Sequence, residues 1–388
     1  MIPEQFNSIR PLNAQEVPEA IEALLNHPAM EAVFNHLSLK KKEIEDISAL
    51  ALTCKNVLEF KQKVATIFID YISKKTTFSL SLSGRSRLGE DIPCTYISNH
   101  RDIILDSAFL NLLLYQIGYK MPQVAIGDNL LIEVWIEQLV RLCGCFIVRR
   151  NLEGRSVLTE AKTLSEYMHY NILHGESQWI AQREGRAKDS NDLTQISVLK
   201  MLAMGGEGSV VERLAGLNIV PLSVSYEYDP CDYLKAREMQ YKRDNANYKK
   251  TAQEDALNMQ TGLFGYKGRV HFTIAGKLND ILDQVPETLP KQQQYEIVAE
   301  LINREIFKNY RLYPSNYIAL DIMHDNNRYS THYSAEEKQL FIDYILGQVA
   351  KIELEEGYTK DIPFLYACMI KMYATPAMNK EKTIGSFV

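Results

Sequence analysis

The stretch Cys94-Thr95-Tyr96-Ile97-Ser98-Asn99-His100-Arg101-Asp102-Ile103-Ile104-Leu105-Asp106-Ser107-Ala108-Phe109 decides how the chain is read. Its first part, 94–98, is short and partly β-branched and predicts a buried strand. From Ile103 the chain turns apolar without a break, through Leu105, Phe109, Leu110, Leu112, Leu113 and Leu114. That run is too long for an ordinary strand and predicts a buried helix over about 102–117, ended by Gly118. Asp102 or Asn99 is placed to cap its N-terminus. His100 therefore falls at a strand-to-helix junction, beside the positive end of the helix dipole, with Asp106 one turn further on. An imidazole there, with carboxylates in reach, suits general-base chemistry. A lone histidine near an apolar helix is more often a core or capping residue, so its neighbours have to decide the matter.

Outward from this stretch, strands alternate with helices. Strands are predicted at 76–82, 124–127, 145–148, 178–181, 219–226 and 268–275, and helices at 129–142, 156–173 and 193–204. Such alternation implies βαβ units, hence an α/β fold: a mostly parallel sheet covered by helices, with helical N- and C-terminal extensions. Residues 1–75 read as a helical N-terminal region, with segments at 17–25, 30–39 and 44–72. Residues 76–280 form the α/β core, interrupted at about 231–262 by a polar, exposed helical insertion. Residues 281–388 form a helical C-terminal region, with helices at 291–309, 335–356 and 361–373.

Composition narrows the function. Of 388 residues, 46% are hydrophobic and 24% charged, as in a soluble globular protein, and the net charge of −6 argues against a general nucleic-acid binder. The six cysteines lack zinc-ligand spacing and read as small buried hydrophobes in a reducing cytosol. The first 20 residues lack the apolar core of a signal peptide, and no window reaches 18 consecutive apolar residues. A cytoplasmic protein is expected, which would meet any lipid from the membrane surface as a peripheral protein.

Four segments stand at strand ends or in the loops after them, where ligands bind in open α/β sheets. They are Asn99-His100-Arg101-Asp102-Ile103-Ile104-Leu105-Asp106; Gly144-Cys145-Phe146-Ile147-Val148-Arg149-Arg150; Trp179-Ile180-Ala181-Gln182-Arg183-Glu184-Gly185-Arg186-Ala187-Lys188-Asp189; and Ile219-Val220-Pro221-Leu222-Ser223-Val224-Ser225. In order and spacing they resemble the four blocks of the glycerolipid acyltransferase family, which includes glycerol-3-phosphate and 1-acylglycerol-3-phosphate acyltransferases. The resemblance covers roughly residues 90 to 230. Two departures stand out. The family spacing of His, four residues, Asp would put the acid at Leu105, whereas this chain has Asp106. One residue rotates a helical side chain by about 100°, so an extra residue in the turn would have to restore Asp106 to the site; Asp102 is the second choice. The third block has Arg183 before Glu184-Gly185 and Arg186 directly after, a richer charge than the family pattern.

The resemblance implies an O-acyltransferase. His100 would remove the proton of an acceptor hydroxyl, a contribution of roughly 10²–10⁴ in rate. Asp106 would orient the imidazole and stabilise the imidazolium. Backbone N–H groups near 101–102 or near Gly185 would receive the oxyanion. Arg149, Arg183 and Arg186 would hold an acceptor phosphate, and Glu184 would hold those arginines or an acceptor hydroxyl, whereas Arg150 and Lys188 read as surface charges. The implied partners are acyl-CoA or acyl-carrier protein, a phospholipid precursor and the membrane surface, with no nucleic acid, cofactor or metal. Two alternatives stay open: the same fold acylating a different lipid acceptor, and a non-catalytic lipid- or acyl-carrier-binding protein.

Weaker signals point nowhere else. Gly205-Gly206-Glu207-Gly208 follows a helix and not a strand, so it is no phosphate loop. His169 and His174 read as surface residues, and His324, Asp325 and His332 as parts of a polar loop. No Gly-x-Ser-x-Gly elbow appears.

Overall fold

Seven short segments among the described residues become strands, all but the first carrying β-branched or aromatic residues: β1 Ser79–Ser83, whose Ser-Leu-Ser-Leu-Ser alternates polar and apolar, β2 Thr95–Ser98, β3 Gln123–Gly127, β4 Cys145–Val148, β5 Gln178–Ala181, β6 Ile219–Tyr226 and β7 Arg269–Ile274. In this computed structural model, which describes residues 2–37, 39–88, 92–131, 133–150 and 154–385, they form one sheet in the order β1-β7-β6-β2-β5-β3-β4. Every neighbouring pair is parallel except β6–β7. The α/β architecture with a mostly parallel sheet is therefore as the sequence predicts.

Side chains alternate between the two faces of the sheet. Tyr96, Trp179 and Val220 join Leu105, Phe109 and Leu113 of the helix Leu105–Gln116 in one buried layer. Ile97, Ile180 and Ile219 join Leu164 and Met168 of Arg155–Leu173, and Val298 and Ile302 of Lys291–Lys308, in the other. Lys291–Lys308 thus covers the sheet itself. The N-terminal helices Val17–Leu25, Pro28–His36 and Lys41–Leu52 make a separate apolar cluster that reaches Leu142. The segment predicted as one helix over 44–72 is broken after Leu52. Asn56 restarts it, its Oδ1 accepting from Glu59 N at 2.9 Å. The restarted helix carries a π turn at Lys61–Ala65 before continuing as Thr66–Thr76.

One expectation is corrected. The insertion is helical, Asp232–Asp244 and Ala252–Phe264, but its first helix is not exposed: Leu234, Lys235, Ala236, Gln240 and Tyr241 are buried. Its polar side chains are accommodated because each finds a partner. Lys235 pairs with Asp229, Asp232 accepts from the Tyr344 and Tyr373 hydroxyls at 2.8 and 2.7 Å, and Gln240 Nε2 donates to Thr359 O at 2.8 Å. Tyr344 and Tyr373 belong to the helices Ala335–Ala350 and Ile362–Ile384, which pack with Pro314–His324, a helix not foreseen from the sequence. Among the described residues, no helix is long and apolar enough to cross a membrane.

The β1–β7 edge contains a titratable device. Ser81 Oγ and Ser83 Oγ bracket the two ring nitrogens of His271 at 2.8 Å each. Burial, and then the charge of Arg311, push the imidazole down to about 4. An unfolded histidine titrates near 6.5, so between about 6.5 and 4 the unfolded chain takes a proton that the folded chain refuses. The stability tied to His271 is present above about pH 6.5 and is lost as pH falls toward 4, by up to roughly 3 kcal/mol. Denaturant melts at pH 7 and pH 5 should show His271→Asn losing less stability on acidification than the wild type.

Candidate active site

Five strands, β2 to β6, run in one direction, so the residues that follow them collect at one edge of the sheet. At the end of β2, Asn99 prolongs the ladder with its side chain: Nδ2 donates to Val224 O at 2.9 Å, and Oδ1 accepts from Val224 N at 2.8 Å. It clamps β2 to β6 and does not cap the helix. His100 comes next, followed by the turn 101–104 and the helix from Leu105. This turn brings Asp106 Oδ2 to 2.8 Å from His100 Nδ1. The same oxygen accepts from Arg101 N at 2.6 Å and from Asp102 N at 3.0 Å. The imidazole also stands edge-on to Trp179, 5.8 Å between centroids, and Trp179 Nε1 donates to Ser98 Oγ at 3.0 Å. Asp102 serves the turn: its Oδ1 accepts from Ile104 N and Leu105 N at 2.9 and 2.8 Å. Burial, and then the nearby Asp106, push its carboxyl up from the ordinary range. Next to His100, Arg101 is buried and pairs with Asp192 at 3.2 Å.

The cationic candidates divide by environment. Arg149, at the end of β4, reaches Ser8 O with Nη2 at 3.4 Å. Arg183 Nη1 donates to Gly185 O at 3.2 Å. Gly185 has φ 67°, a left-handed conformation that glycine adopts freely, and it turns the chain back toward the sheet. Glu184 is largely exposed, its backbone N–H held by Gln195 Oε1 at 2.7 Å. Arg186 is buried, and its Nη2 donates to Asn258 Oδ1 at 2.9 Å. The reading of Lys188 as a surface charge is corrected: it is three-quarters buried, pairs with Glu238 at 2.9 Å, and burial brings it down to about 8. Arg150, also read as a surface charge, leans over Gly127, where a Cβ would come within 2.6 Å of its Nε. The reading of His169 as a surface residue is corrected too, since it is half-buried against Leu202 O at 3.0 Å. Gly205 belongs to packing: a Cβ there would meet Glu166 N at 2.4 Å. Among the described residues, no group of three or more His, Cys, Asp or Glu is placed to hold a metal ion.

His100, Arg149, Arg150, Arg183, Arg186 and Lys188 all line one cavity of about 1140 Å³. It opens because β3 and β5 share only the register Gln123↔Gln178 and Val124↔Trp179, and then part toward their C-terminal ends. From His100 the cavity extends over the sheet into the N-terminal helices, where Ile21, Met30, Phe34, Val64 and Phe68 make an apolar wall. Near the start of β3 it meets Lys61, a residue the sequence reading passed over. Lys61 lies in the π turn, donates to Met121 O and Pro122 O at 3.3 and 2.8 Å, and is brought down by burial to about 8. One half-open cavity thus joins an imidazole–carboxylate pair, a cationic end and a long apolar wall. A general base facing such a space is suited to moving an apolar acyl group onto a polar acceptor.

Comparison with known proteins gives the same class. Residues 79–225 match a family model described as Acyltransferase. The dihydroxyacetone phosphate acyltransferase of Oryctolagus cuniculus is 26% identical over 219 residues, 56% of this chain and 31% of the relative. The glycerol-3-phosphate acyltransferase of Pseudoalteromonas atlantica is 29% identical over 143 residues, 36% of this chain and 17% of the relative. Each match therefore spans a third or less of the relative's length. The crystal structure of the 1-acyl-sn-glycerophosphate (LPA) acyltransferase PlsC from Thermotoga maritima aligns with a TM-score of 0.39 and 10% identity, over 76% of this chain and 93% of that one. The chain carries an acyltransferase domain. In sequence, that domain is similar to glycerolipid acyltransferases.

The clamp at the end of β2 is testable. Asn99→Ala would leave the buried N–H and C=O of Val224 without partners, at a cost of about 2–4 kcal/mol. Chemical denaturation should show that loss.

Proposed function

We propose that the protein moves a fatty acyl group from an acyl thioester, acyl-CoA or acyl-carrier protein, to a hydroxyl of a glycerol-phosphate or lysophospholipid acceptor in phospholipid synthesis. The observation that carries this reading is the 2.8 Å contact between His100 Nδ1 and Asp106 Oδ2 where the apolar and cationic parts of one cavity meet. The relatives' names, which speak of dihydroxyacetone phosphate and glycerol 3-phosphate, agree with a phosphorylated acceptor.

The chemistry follows from the tautomer that Asp106 imposes. With Nδ1–H donated to the carboxylate, Nε2 carries the free lone pair. Nε2 takes the hydroxyl proton of the acceptor as its oxygen attacks the thioester carbonyl. The new C–O bond gives a tetrahedral oxyanion, and the C–S bond then breaks. The departing thiolate receives the proton back from the imidazolium. Asp106 stays ionised throughout and stabilises the imidazolium, and no acyl-enzyme forms. The apolar wall takes the acyl chain, while Arg149, Arg183 and Arg186 supply charge for the acceptor's phosphate. Val134 and Leu158, exposed on helices that also line the cavity, are apolar contacts for a membrane surface that would deliver the lipid.

Purified protein, given acyl-CoA and acyl-carrier protein with glycerol 3-phosphate or lysophosphatidic acid, should form the acylated product detected by mass. His100→Ala should lower kcat by roughly 10²–10⁴, and Asp106→Asn by a comparable factor through the wrong tautomer. Turnover that survives in His100→Ala would remove the general-base assignment. Bound lipid without turnover in the wild type would favour a binding protein.

A further inference from the structure

The helix Ala252–Phe264 lies outside the four blocks, yet it forms part of the cavity wall through Met259 and Leu263. It approaches the catalytic turn closely. A Cβ at Gly262 would come within 2.1 Å of Asp102 Oδ2. One turn earlier, Asn258 is 3% exposed and accepts from Arg186 Nη2 at 2.9 Å. Asn258 Nδ2 donates to Glu254 O at 2.7 Å, which fixes the amide with its oxygen toward the arginine.

Lys267, also buried near Asp102, donates to the carbonyls of Leu263 and Gly265, but four other cations of this region have carboxylate partners. Arg101 pairs with Asp192, Lys188 with Glu238, Lys235 with Asp229, and Arg237 with Glu254. Arg186 is 6% exposed and has the neutral Asn258 in the place where its neighbours have a carboxylate. Its Nη1 has no hydrogen-bond partner in the protein. Asp102, Asp229 and Cys231 act on it only through their fields and a weak thiol contact. With no carboxylate bonded to it, the guanidinium keeps more of its charge than an ion-paired cation does, although the fields of Asp102 and Asp229 offset part of it.

We infer that Asn258 is a specificity-determining position for the acceptor. Its amide secures Arg186 without neutralising it, and so leaves the guanidinium charge to a phosphate monoester in the cavity. This rests on the reading that Arg186 serves a phosphorylated substrate. Asn258→Asp would keep the hydrogen-bond acceptor in place and add the carboxylate that the neighbouring cations already have. The buried pair would then cancel the charge, whereas Asn258→Ala removes the anchor without adding charge.

The test compares lysophosphatidic acid with 1-monoacylglycerol as acceptors, under the donor conditions that support turnover. Asn258→Asp should raise the KM for lysophosphatidic acid by roughly tenfold or more, with kcat and the monoacylglycerol KM within about twofold of wild type. Asn258→Ala should raise the same KM several-fold, by a smaller factor than Asn258→Asp. An unchanged lysophosphatidic acid KM in both variants, or an equal rise for both acceptors, would overturn the inference. A rise confined to the KM of acyl-CoA would assign Arg186 to the donor's phosphates and would also overturn it. Arg186→Ala separates the two levels of the argument. If it raises the lysophosphatidic acid KM while the Asn258 variants do not, the role of Asn258 falls and the reading of Arg186 stands. If it leaves that KM at the wild-type value, both fall.

Discussion

Everything at the active edge depends on one carboxylate oxygen. Asp106 Oδ2 accepts from the His100 imidazole and from the backbone N–H of Arg101 and Asp102. Three consecutive residues are thereby gathered onto a group in the first turn of a helix, where the dipole favours negative charge. The orientation of the imidazole is inherited from the backbone and does not rest on a free side-chain rotamer. That backbone is held in turn by Asn99, whose amide joins β2 to β6 beyond the end of their ladder at Ser98↔Leu222. A buried amide satisfied on both sides is directional and costly to disturb, so it makes a firm base for the turn.

The sheet then does for the cavity what the clamp does for the turn. The chain leaves β2 for β3 and β4, and returns to place β5 between β2 and β3. Helices cover both faces, which a parallel sheet requires. Where β3 and β5 part, neither strand closes the gap, and the N-terminal helices roof it with apolar side chains. The π turn at Lys61–Ala65 is part of that roof. Lys61 spends its ammonium on the carbonyls of Met121 and Pro122, just before β3, so a charge enters an apolar region with hydrogen bonds already made.

The strands and the long helices were legible because they obey simple periods: a short apolar run between turns, or an amphipathic stripe as in Arg155–Leu173. The meeting of His100 and Asp106 was harder to read. Helical rotation alone puts position 106 off the face that position 105 would occupy, and only the length of the turn, with the helix starting at Leu105, brings the carboxylate back. The insertion misled because composition was taken for exposure. Lys235, Asp232 and Gln240 look like surface residues until their partners, Asp229, the Tyr344 and Tyr373 hydroxyls and Thr359, are in view, and those partners lie up to 141 residues away in sequence. Asn258 carried no signal at all, since its meaning depends on Arg186, 72 residues distant.

Charge bookkeeping across this edge separates structure from chemistry. Where a buried cation has a carboxylate partner, as with Arg101–Asp192 or Lys188–Glu238, the pair is nearly neutral outside its own contact and mainly fixes geometry. Where the bonded partner is neutral, as with Asn258, the position of the cation is fixed and only the more distant Asp102 and Asp229 offset its field. A largely apolar lining strengthens such a field relative to bulk water, because it offers few polar groups to screen it. The cavity that brings the apolar wall together thus also brings Arg149, Arg183 and Arg186 to its lining. In this fold the apolar wall and the cationic residues line one cavity, beside the point where β3 and β5 stop pairing.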